Sequence, residues 1–123
     1  MPEVKLHKWD EVERESLTPL LDRQMVYGER IMLSRIYLQK DSVVALHHHE
    51  NEQASYVLEG AIRFYYGHGD LKTVDVYAGE VLFLPSNVPH SAEALEDSVS
   101  LDIFNPPRQD WIDGTDAYIR KQG

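Results

Sequence analysis

Residues 45–53 read Ala45-Leu46-His47-His48-His49-Glu50-Asn51-Glu52-Gln53, and no other stretch of the chain carries as much chemistry. Alternate residues of a β-strand share one face, so His47 and His49 are predicted to point together while His48 points away. Two imidazoles on one face form half of a metal site, because imidazole binds zinc, iron, nickel and copper. If the residues between them make a compact turn, Gln53 has the parity of His49, which makes it a candidate third ligand and turns Glu52 outward. In the alternative that strand parity makes weaker, Glu52 is the ligand and Gln53 lies behind it.

A candidate fourth ligand, His90, follows the rigid segment Pro85-Ser86-Asn87-Val88-Pro89 and begins another predicted strand. It would complete the ligand set if that strand lay beside the first. Two simpler interpretations stay open. The three adjacent histidines can form a solvated surface stretch, and His90 can be a hydrogen-bonded structural residue.

Short apolar runs separated by turn residues surround this stretch and favour an all-β sandwich or barrel. The predicted strands lie near residues 31–39, 43–47, 53–59, 61–66, 72–77, 80–84, 89–95 and 98–104. Leu20 to Tyr27 is expected to add one or two edge strands. The tail from Gln109 to Gly123 is expected to run as a short extended piece and then a partial helical turn against the barrel.

The composition limits the possible partners of the chain. Its 123 residues suffice for one domain, residues 1–123, and a net charge of -9 argues against nucleic acid or an anionic membrane as partner. An anionic substrate would need a local positive site. No cysteine is present and no apolar leader opens the sequence, so we expect a soluble, cytoplasmic protein.

Two groups of residues resemble the conserved motifs of the cupin superfamily. His47-x-His49-x-x-x-Gln53 followed by Gly60 resembles the first motif, and Gly79, Pro85, Asn87 and His90 resemble the second. The sequence departs from the usual pattern at Asp41, Gln53, Asn87 and Ala94. The resemblance implies an all-β, single-domain cupin jelly-roll β-barrel (a double-stranded β-helix) with a short C-terminal extension. It also implies a metal-binding core at about residues 30–108, with one divalent ion on His47, His49, Gln53 and His90.

A second segment, Asp102 to Arg108, combines an aspartate, a phenylalanine, two prolines and an arginine. Asp102 and Phe104 share a strand face, and Pro106-Pro107 stiffens the approach to Arg108. Arginine suits a carboxylate, which it can bind through two parallel hydrogen bonds. The alternative is a surface Asp–Arg pair with Phe104 in the core. Arg35, on the 31–39 strand, is a possible second contact for an anion.

His47-x-His49-x-x-x-Gln53 together with Asp102-x-Phe104-x-x-Pro107-Arg108 is similar to the KdgF-type cupins of pectin and alginate breakdown. Those proteins open the ring of 4,5-unsaturated uronates. The resemblance implies a small anionic sugar acid as substrate, with Asp102 as general base, Arg108 on the carboxylate and Phe104 against the sugar. A homodimer is expected, because many small cupins pair through edge strands.

The metal is expected to be nickel, zinc, iron or manganese. The neutral Gln53 leaves a divalent site near a charge of about +2, which favours binding an anion or enolate over oxygen chemistry. Two rival functions stay open. One is a non-catalytic sugar-acid-binding cupin, and the other is a metal-dependent dioxygenase or isomerase acting on another small molecule.

Overall fold

A computed structural model of the chain describes residues 3–120, in which ten strands form two antiparallel sheets. The strands are Glu15–Thr18 (β1), Leu21–Tyr27 (β2), Met32–Leu38 (β3), Val43–His47 (β4), Glu52–Glu59 (β5), Ala61–Tyr66 (β6), Lys72–Tyr77 (β7), Val81–Leu84 (β8), His90–Ala94 (β9) and Ser98–Asn105 (β10). The six-stranded sheet has the order β1-β2-β3-β10-β5-β8, and the four-stranded sheet has the order β4-β9-β6-β7. The predicted all-β jelly-roll barrel is confirmed. Within residues 3–120 no helix is long and apolar enough to cross a membrane.

The alternation of side chains along the strands explains how the two sheets share one core. In β3 every second residue is buried, beginning with Met32 and ending with Leu38. The apolar core combines side chains of both sheets, including Ile36, Val57, Leu84, Phe104, Ile62, Phe64 and Ala92. Burial of each of the larger side chains among these stabilises the barrel by about 1.5–3 kcal/mol.

Asp41 and Asn87, two positions at which the sequence departs from the usual motifs, lie in turns whose backbone conformation suits these residues. Asp41 has φ 74° and Asn87 has φ 64°, so both adopt the left-handed conformation that glycine adopts most easily. Asparagine and aspartate tolerate this region better than other non-glycine residues. Gly60 (φ 85°) cannot be replaced so readily, because an added Cβ would lie 2.3 Å from the Asp97 carbonyl oxygen.

The ends of the chain differ in part from the sequence-based prediction. Of the two strands over residues 15–27, only β1 is an edge strand, and β2 lies between β1 and β3. The expected extended piece after Gln109 is wrong, because Gln109–Asp113 forms a short helix (α1) that ends at Gly114 in the left-handed conformation. The expected helical turn follows as a 3-10 segment, Ala117–Arg120. The last three residues of the predicted tail lie outside the described residues.

An ion pair holds the C-terminal segment against the six-stranded sheet. Arg23 Nη1 of β2 donates to Asp116 Oδ2 at 2.6 Å, and both side chains are fully buried. Glu15 of β1 accepts from the same guanidinium, and Arg120 Nε donates to Asp116 at 3.1 Å. Since the pair is buried, removing one partner would leave an uncompensated charge, so the pair anchors the C-terminal segment at Asp116 to β2.

Candidate metal centre

Three imidazoles converge at one end of the barrel. His47 ends β4 and pairs in register with His90, which opens β9, and His49 follows in the loop after β4. One ring nitrogen from each of the three lies within 4.8 Å of the others, close enough for a shared metal ion. His48 is exposed, as strand parity predicts.

Each imidazole is oriented by a backbone carbonyl two residues away. The Nδ1 atoms of His47, His49 and His90 lie 2.7, 3.0 and 2.9 Å from the carbonyl oxygens of Ala45, Asn51 and Val88. A carbonyl only accepts, so Nδ1 carries the proton in every ring. The lone pair is therefore on Nε2, the atom left for a metal, and metal-binding histidines typically donate their other ring N–H to a carbonyl or carboxylate in this way.

Burial keeps the three rings neutral. It lowers the pKa of His47 to about 3 and that of His49 to about 4, and it lowers the pKa of His90 as well. The positive charge of Arg108 acts on all three rings in the same direction. Near neutral pH these imidazoles therefore present lone pairs without competition from protons.

Gln53 adds an oxygen to the cluster. Its side chain is only 5% exposed, whereas its neighbour Glu52 is exposed. Gln53 Oε1 lies 3.1 Å from His49 Nε2, and both atoms carry lone pairs when the ring is protonated on Nδ1. Two ligands at right angles, each about 2.1 Å from one ion, are about 3.0 Å apart. The contact therefore has the spacing of neighbouring ligands in one coordination shell.

The donor set fits a divalent ion. His90 Nε2 is buried and has no hydrogen-bond partner, and a buried acceptor in that state is costly unless something binds it. Three imidazole nitrogens and one amide oxygen suit several first-row divalent metals, so the geometry does not select one.

Asp102 lies beside this cluster on β10. Its carboxylate accepts a hydrogen bond from Ser100 Oγ at 2.8 Å, and Ser55 stands directly opposite on β5. Burial raises the pKa of Asp102 to about 6, although the two serine hydroxyls and the charge of Arg108 act to lower it. A carboxylate with this pKa can accept and return a proton near neutral pH.

Arg108 is buried, and its guanidinium is largely engaged. Nε and Nη2 donate to the two oxygens of Asp110 at 3.0 and 2.9 Å, and Nη2 also donates to the Tyr118 hydroxyl at 2.6 Å. Nη1 is buried without a partner. Asp110 therefore occupies the pair of parallel N–H donors that the sequence analysis assigns to a substrate carboxylate. Nη1 is the guanidinium nitrogen left to bind a ligand.

Asn51 joins the arginine loop to the cluster. Its side-chain Nδ2 donates to the carbonyl oxygens of Pro106 and Pro107 at 2.6 and 3.2 Å. Its backbone carbonyl oxygen accepts a hydrogen bond from His49 Nδ1. One residue thus fixes both the His49 ring and the segment that carries Arg108.

Phe104 and Arg35 differ in their relation to the site. The Phe104 ring is 1% exposed, and its centroid lies 5.8 Å from that of His49 and 5.0 Å from that of Trp111. Arg35 has the opposite strand parity to the buried Ile36 and lies over the ring of Trp9. Arg35 therefore points away from the cavity, and its suggested contact with an anion is wrong.

One cavity is lined by two of the three histidines and four other site residues, namely His47, His90, Gln53, Asp102, Phe104 and Arg108. Its volume is ≈ 50 Å³, which is small beside the usual range for small-molecule sites, so a sugar-sized ligand would have to extend into the open mouth. Much of the remaining wall is apolar or aromatic, formed by Ile36, Leu38, Val44, Phe64, Trp111 and Tyr118. The cavity combines metal-type donors, an acid of raised pKa and one unpaired cationic donor.

Sequence reasoning missed several residues around the site. Ser55 and Ser100 stand two positions from Gln53 and Asp102 on the same strands, so parity alone could have identified them. Asn51 and Tyr118 carry no such signal, because their contacts join segments distant in the sequence.

A two-sheet β-barrel with a convergent histidine cluster at one end defines a class of proteins suited to binding a metal and a small molecule. The sequence model of the Cupin domain matches residues 34–104, more than half of the chain. The chain therefore belongs to the cupin family, and its resemblance to that family is confirmed.

Three similar proteins illustrate the range of this family. The chain is 27% identical over 120 residues to the 3-hydroxyanthranilate 3,4-dioxygenase of Mus musculus, covering 94% of this chain but only 41% of that enzyme. The structure of KdgF from a Halomonas species has a TM-score of 0.81 at 24% identity, covering 89% of this chain and 99% of that one. The structure of an RmlC-like cupin from Shewanella frigidimarina has a TM-score of 0.78 at 28% identity. The match covers 89% of this chain and 96% of that one. The likeness to KdgF shows a shared fold.

Proposed function

We propose that this cupin uses a bound divalent metal to open the ring of 4,5-unsaturated uronates, giving linear keto sugar acids. The observation that carries the proposal is the position of Asp102. Its carboxyl, with a pKa raised to about 6, lines the same cavity as His47, His90 and Arg108, whose buried Nη1 has no partner. A base, an anion contact and a metal-type cluster are what this reaction requires.

The reaction is an isomerisation that needs no other reactant. An unsaturated uronate is a cyclic enol ether with a carboxylate on its double bond. Asp102 takes the proton of the anomeric hydroxyl, a carbonyl forms at C1, and the bond between C1 and the ring oxygen breaks. The electron pair leaves with the ring oxygen as an enolate, which then takes a proton at C4 from Asp102. Such proton transfer contributes about 10²–10⁴-fold to a rate.

The other residues of the cavity bind and orient the substrate. Arg108 Nη1 donates to the substrate carboxylate and is a local cationic donor in a chain whose net charge is -9. Phe104 packs against the sugar face. A divalent ion on His47, His49, Gln53 and His90 would supply Lewis-acid stabilisation of negative charge on oxygen.

A second candidate function is a metal-dependent dioxygenase. It is supported by the similarity to 3-hydroxyanthranilate 3,4-dioxygenases and by the aromatic rings of Phe104, Trp111 and Tyr118 around the cavity. The neutral Gln53 argues against it, since higher oxidation states lose the stabilisation that an anionic ligand provides. A third candidate, a non-catalytic sugar-acid-binding cupin, predicts saturable binding of a uronate without turnover.

The proposal is tested by NMR on 4,5-unsaturated galacturonate released by a pectate lyase. Protein loaded with metal should remove the alkene signals and produce a linear keto acid faster than the background, and chelator-treated protein should not. Asp102→Asn should retain metal and lose most activity, whereas Asp70→Asn, in an exposed turn, should behave as the wild type. A background rate from metal-loaded protein overturns the ring-opening proposal. Oxygen uptake with 3-hydroxyanthranilate would instead favour the dioxygenase.

The proposal also includes a cytoplasmic homodimer. The cysteine-free composition suits a reducing compartment. The outer side of the edge strand β8 exposes Val81 and Phe83, next to Tyr56 on β5, and exposed apolar side chains at a sheet edge favour pairing with a second copy. Light scattering should give twice the chain mass, and Phe83→Lys should reduce it. A monomeric wild type would contradict this part.

A further inference from the structure

One close contact and one hydrogen bond define the orientation of the Gln53 side-chain amide. Gln53 Oε1 lies 3.1 Å from His49 Nε2, and Gln53 Nε2 donates to Ser55 Oγ at 2.9 Å. We propose that Ser55 is a positioning residue, which orients the Gln53 amide so that its oxygen faces the histidine cluster. The inference rests on the metal centre of the proposed function and deepens it.

The direction of the hydrogen bond between Gln53 and Ser55 follows from what each group can donate. Ser55 Oγ accepts the amide proton of Gln53, so its own single proton remains free to donate. Asp102 stands directly opposite on β10, where its carboxylate can accept that proton. An ionised carboxylate only accepts. The Ser55 hydroxyl can therefore link the Gln53 amide to Asp102.

The reversed amide would cost the site a ligand. Its oxygen would have to accept the Ser55 proton, which would then no longer be free for Asp102. Its NH₂ group would face the cluster, where it could donate to the lone pair of His49 Nε2 but could not bind a cation. Gln53 and Ser55 are 5% and 0% exposed, so water cannot substitute for either partner. The hydroxyl of Ser55 thus couples the ligand to the candidate base.

The same link accounts for glutamine rather than glutamate at position 53. A glutamate carboxylate and the Asp102 carboxylate would compete for the one proton of Ser55, and one of them would lose its donor. An amide supplies its own proton and removes that competition. The neutral ligand is therefore matched to the serine two residues further along β5.

Zinc affinity provides the first test, with Zn²⁺ titrated against a competing chelator. Ser55→Ala should raise the Kd for zinc about 10–100-fold, the usual effect of removing an outer-shell partner, and Ser55→Thr should restore affinity. Ser100→Ala is the matched control, because Ser100 is also buried and donates to Asp102 but has no bond to Gln53. Its Kd should stay within about threefold of the wild type. Equal losses in Ser55→Ala and Ser100→Ala, or no loss in a folded Ser55→Ala variant, overturn the proposal.

The second test locates the Gln53 amide in zinc-loaded protein and separates this inference from the metal centre itself. In the zinc-loaded wild type, the side-chain amide protons of Gln53 should show NOEs to the Ser55 β-protons and not to the His49 ring. NOEs from the amide to the His49 ring in protein that holds zinc overturn the inference and leave the metal centre standing. A wild type that binds no zinc overturns both.

Discussion

Tyr118 stacks on His47, with ring centroids 4.2 Å apart and an interplanar angle of 27°. The Tyr118 hydroxyl also accepts hydrogen bonds from Arg108 Nη2 at 2.6 Å and from Trp111 Nε1 at 2.9 Å. The C-terminal segment therefore touches the histidine cluster and the arginine with a single side chain. The ring restrains a metal ligand, and the hydroxyl restrains the anion contact.

These two roles can be separated by substitution. Tyr118→Phe keeps the stacked ring, so zinc affinity should stay within about threefold, while Arg108 loses an acceptor and the KM for an unsaturated uronate should rise. Tyr118→Ala removes the ring as well, and the Kd for zinc should rise about tenfold. Zinc titration and steady-state kinetics measure both effects. Equal zinc affinities for the two variants would show that the ring does not restrain His47.

Metal binding should depend on the direction in which each histidine points. His90→Gln removes a buried nitrogen that has no partner within the protein, and we expect the loss of stoichiometric binding of one ion per chain. His48→Gln is the matched control, since His48 is exposed and lies between two inward-facing neighbours. Equilibrium dialysis followed by elemental analysis measures both. Loss of metal in His48→Gln would mean that the ion is bound on the outer surface.

Local patterns in the sequence predicted most of the barrel. The bounds of β4, β6 and β7 match the prediction, because strand parity and turn residues are properties of neighbours in the chain. The same parity pointed to His47 and Gln53. It could not predict the contact of Tyr118 with His47 or that of Asn51 with Pro106, since nothing in the sequence near one residue encodes the distant partner.

The helix over Gln109–Asp113 shows a second limit of sequence reasoning. The segment is too short for helical periodicity to be visible, and its helical form depends on burial of Trp111 against Arg23, Phe104 and Arg108. The sequence could not predict that Asp110 binds Arg108 either. An arginine two residues before an aspartate does not show whether the two side chains pair, or which guanidinium nitrogen then remains without a partner.

Catalysis should follow the ionisation of Asp102. Burial raises the pKa of this carboxyl to about 6, and the proposed base acts in its ionised form. The kcat/KM for an unsaturated uronate should therefore rise with pH and level off above an inflection near pH 6. Ser100→Ala removes a donor to the carboxylate, so the inflection should move to higher pH. An inflection unchanged by this substitution would assign the ionisation to another group.

Stability should depend sharply on Gly60 and little on Gly28. A Cβ at Gly60 would meet both the Asp97 carbonyl oxygen and the Ser98 hydroxyl at 2.3 Å, and the residue has φ 85°. Gly60→Ala should therefore lower the free energy of unfolding by about 2 kcal/mol or more. Gly28→Ala has open space around it and should change that free energy by less than about 1 kcal/mol. Urea denaturation compares the two, and similar values would contradict the close packing at Gly60.

The metal-free protein should lose stability as the pH falls from 6.5 toward 4. Burial lowers the pKa of His47 to about 3 and that of His49 to about 4, so over this range the unfolded chain binds protons that the folded chain does not. The stabilisation is present above the unfolded pKa of about 6.5 and disappears as the pH drops, on the order of 1 kcal/mol per histidine after allowance for partial exposure. The raised pKa of Asp102 acts in the opposite sense, because the folded chain takes up a proton below about pH 6, and it offsets part of the loss.

Urea denaturation of chelator-treated protein at pH 7 and pH 5 measures this difference. The free energy of unfolding should be lower at pH 5, and His47→Gln should reduce the difference because one of the responsible groups is gone. His48→Gln should leave it unchanged, since that side chain is exposed. Saturating zinc should enlarge the difference, because protons compete with the metal for the same nitrogens. Equal stability of the metal-free wild type at the two pH values would mean that the imidazoles are not held neutral by burial.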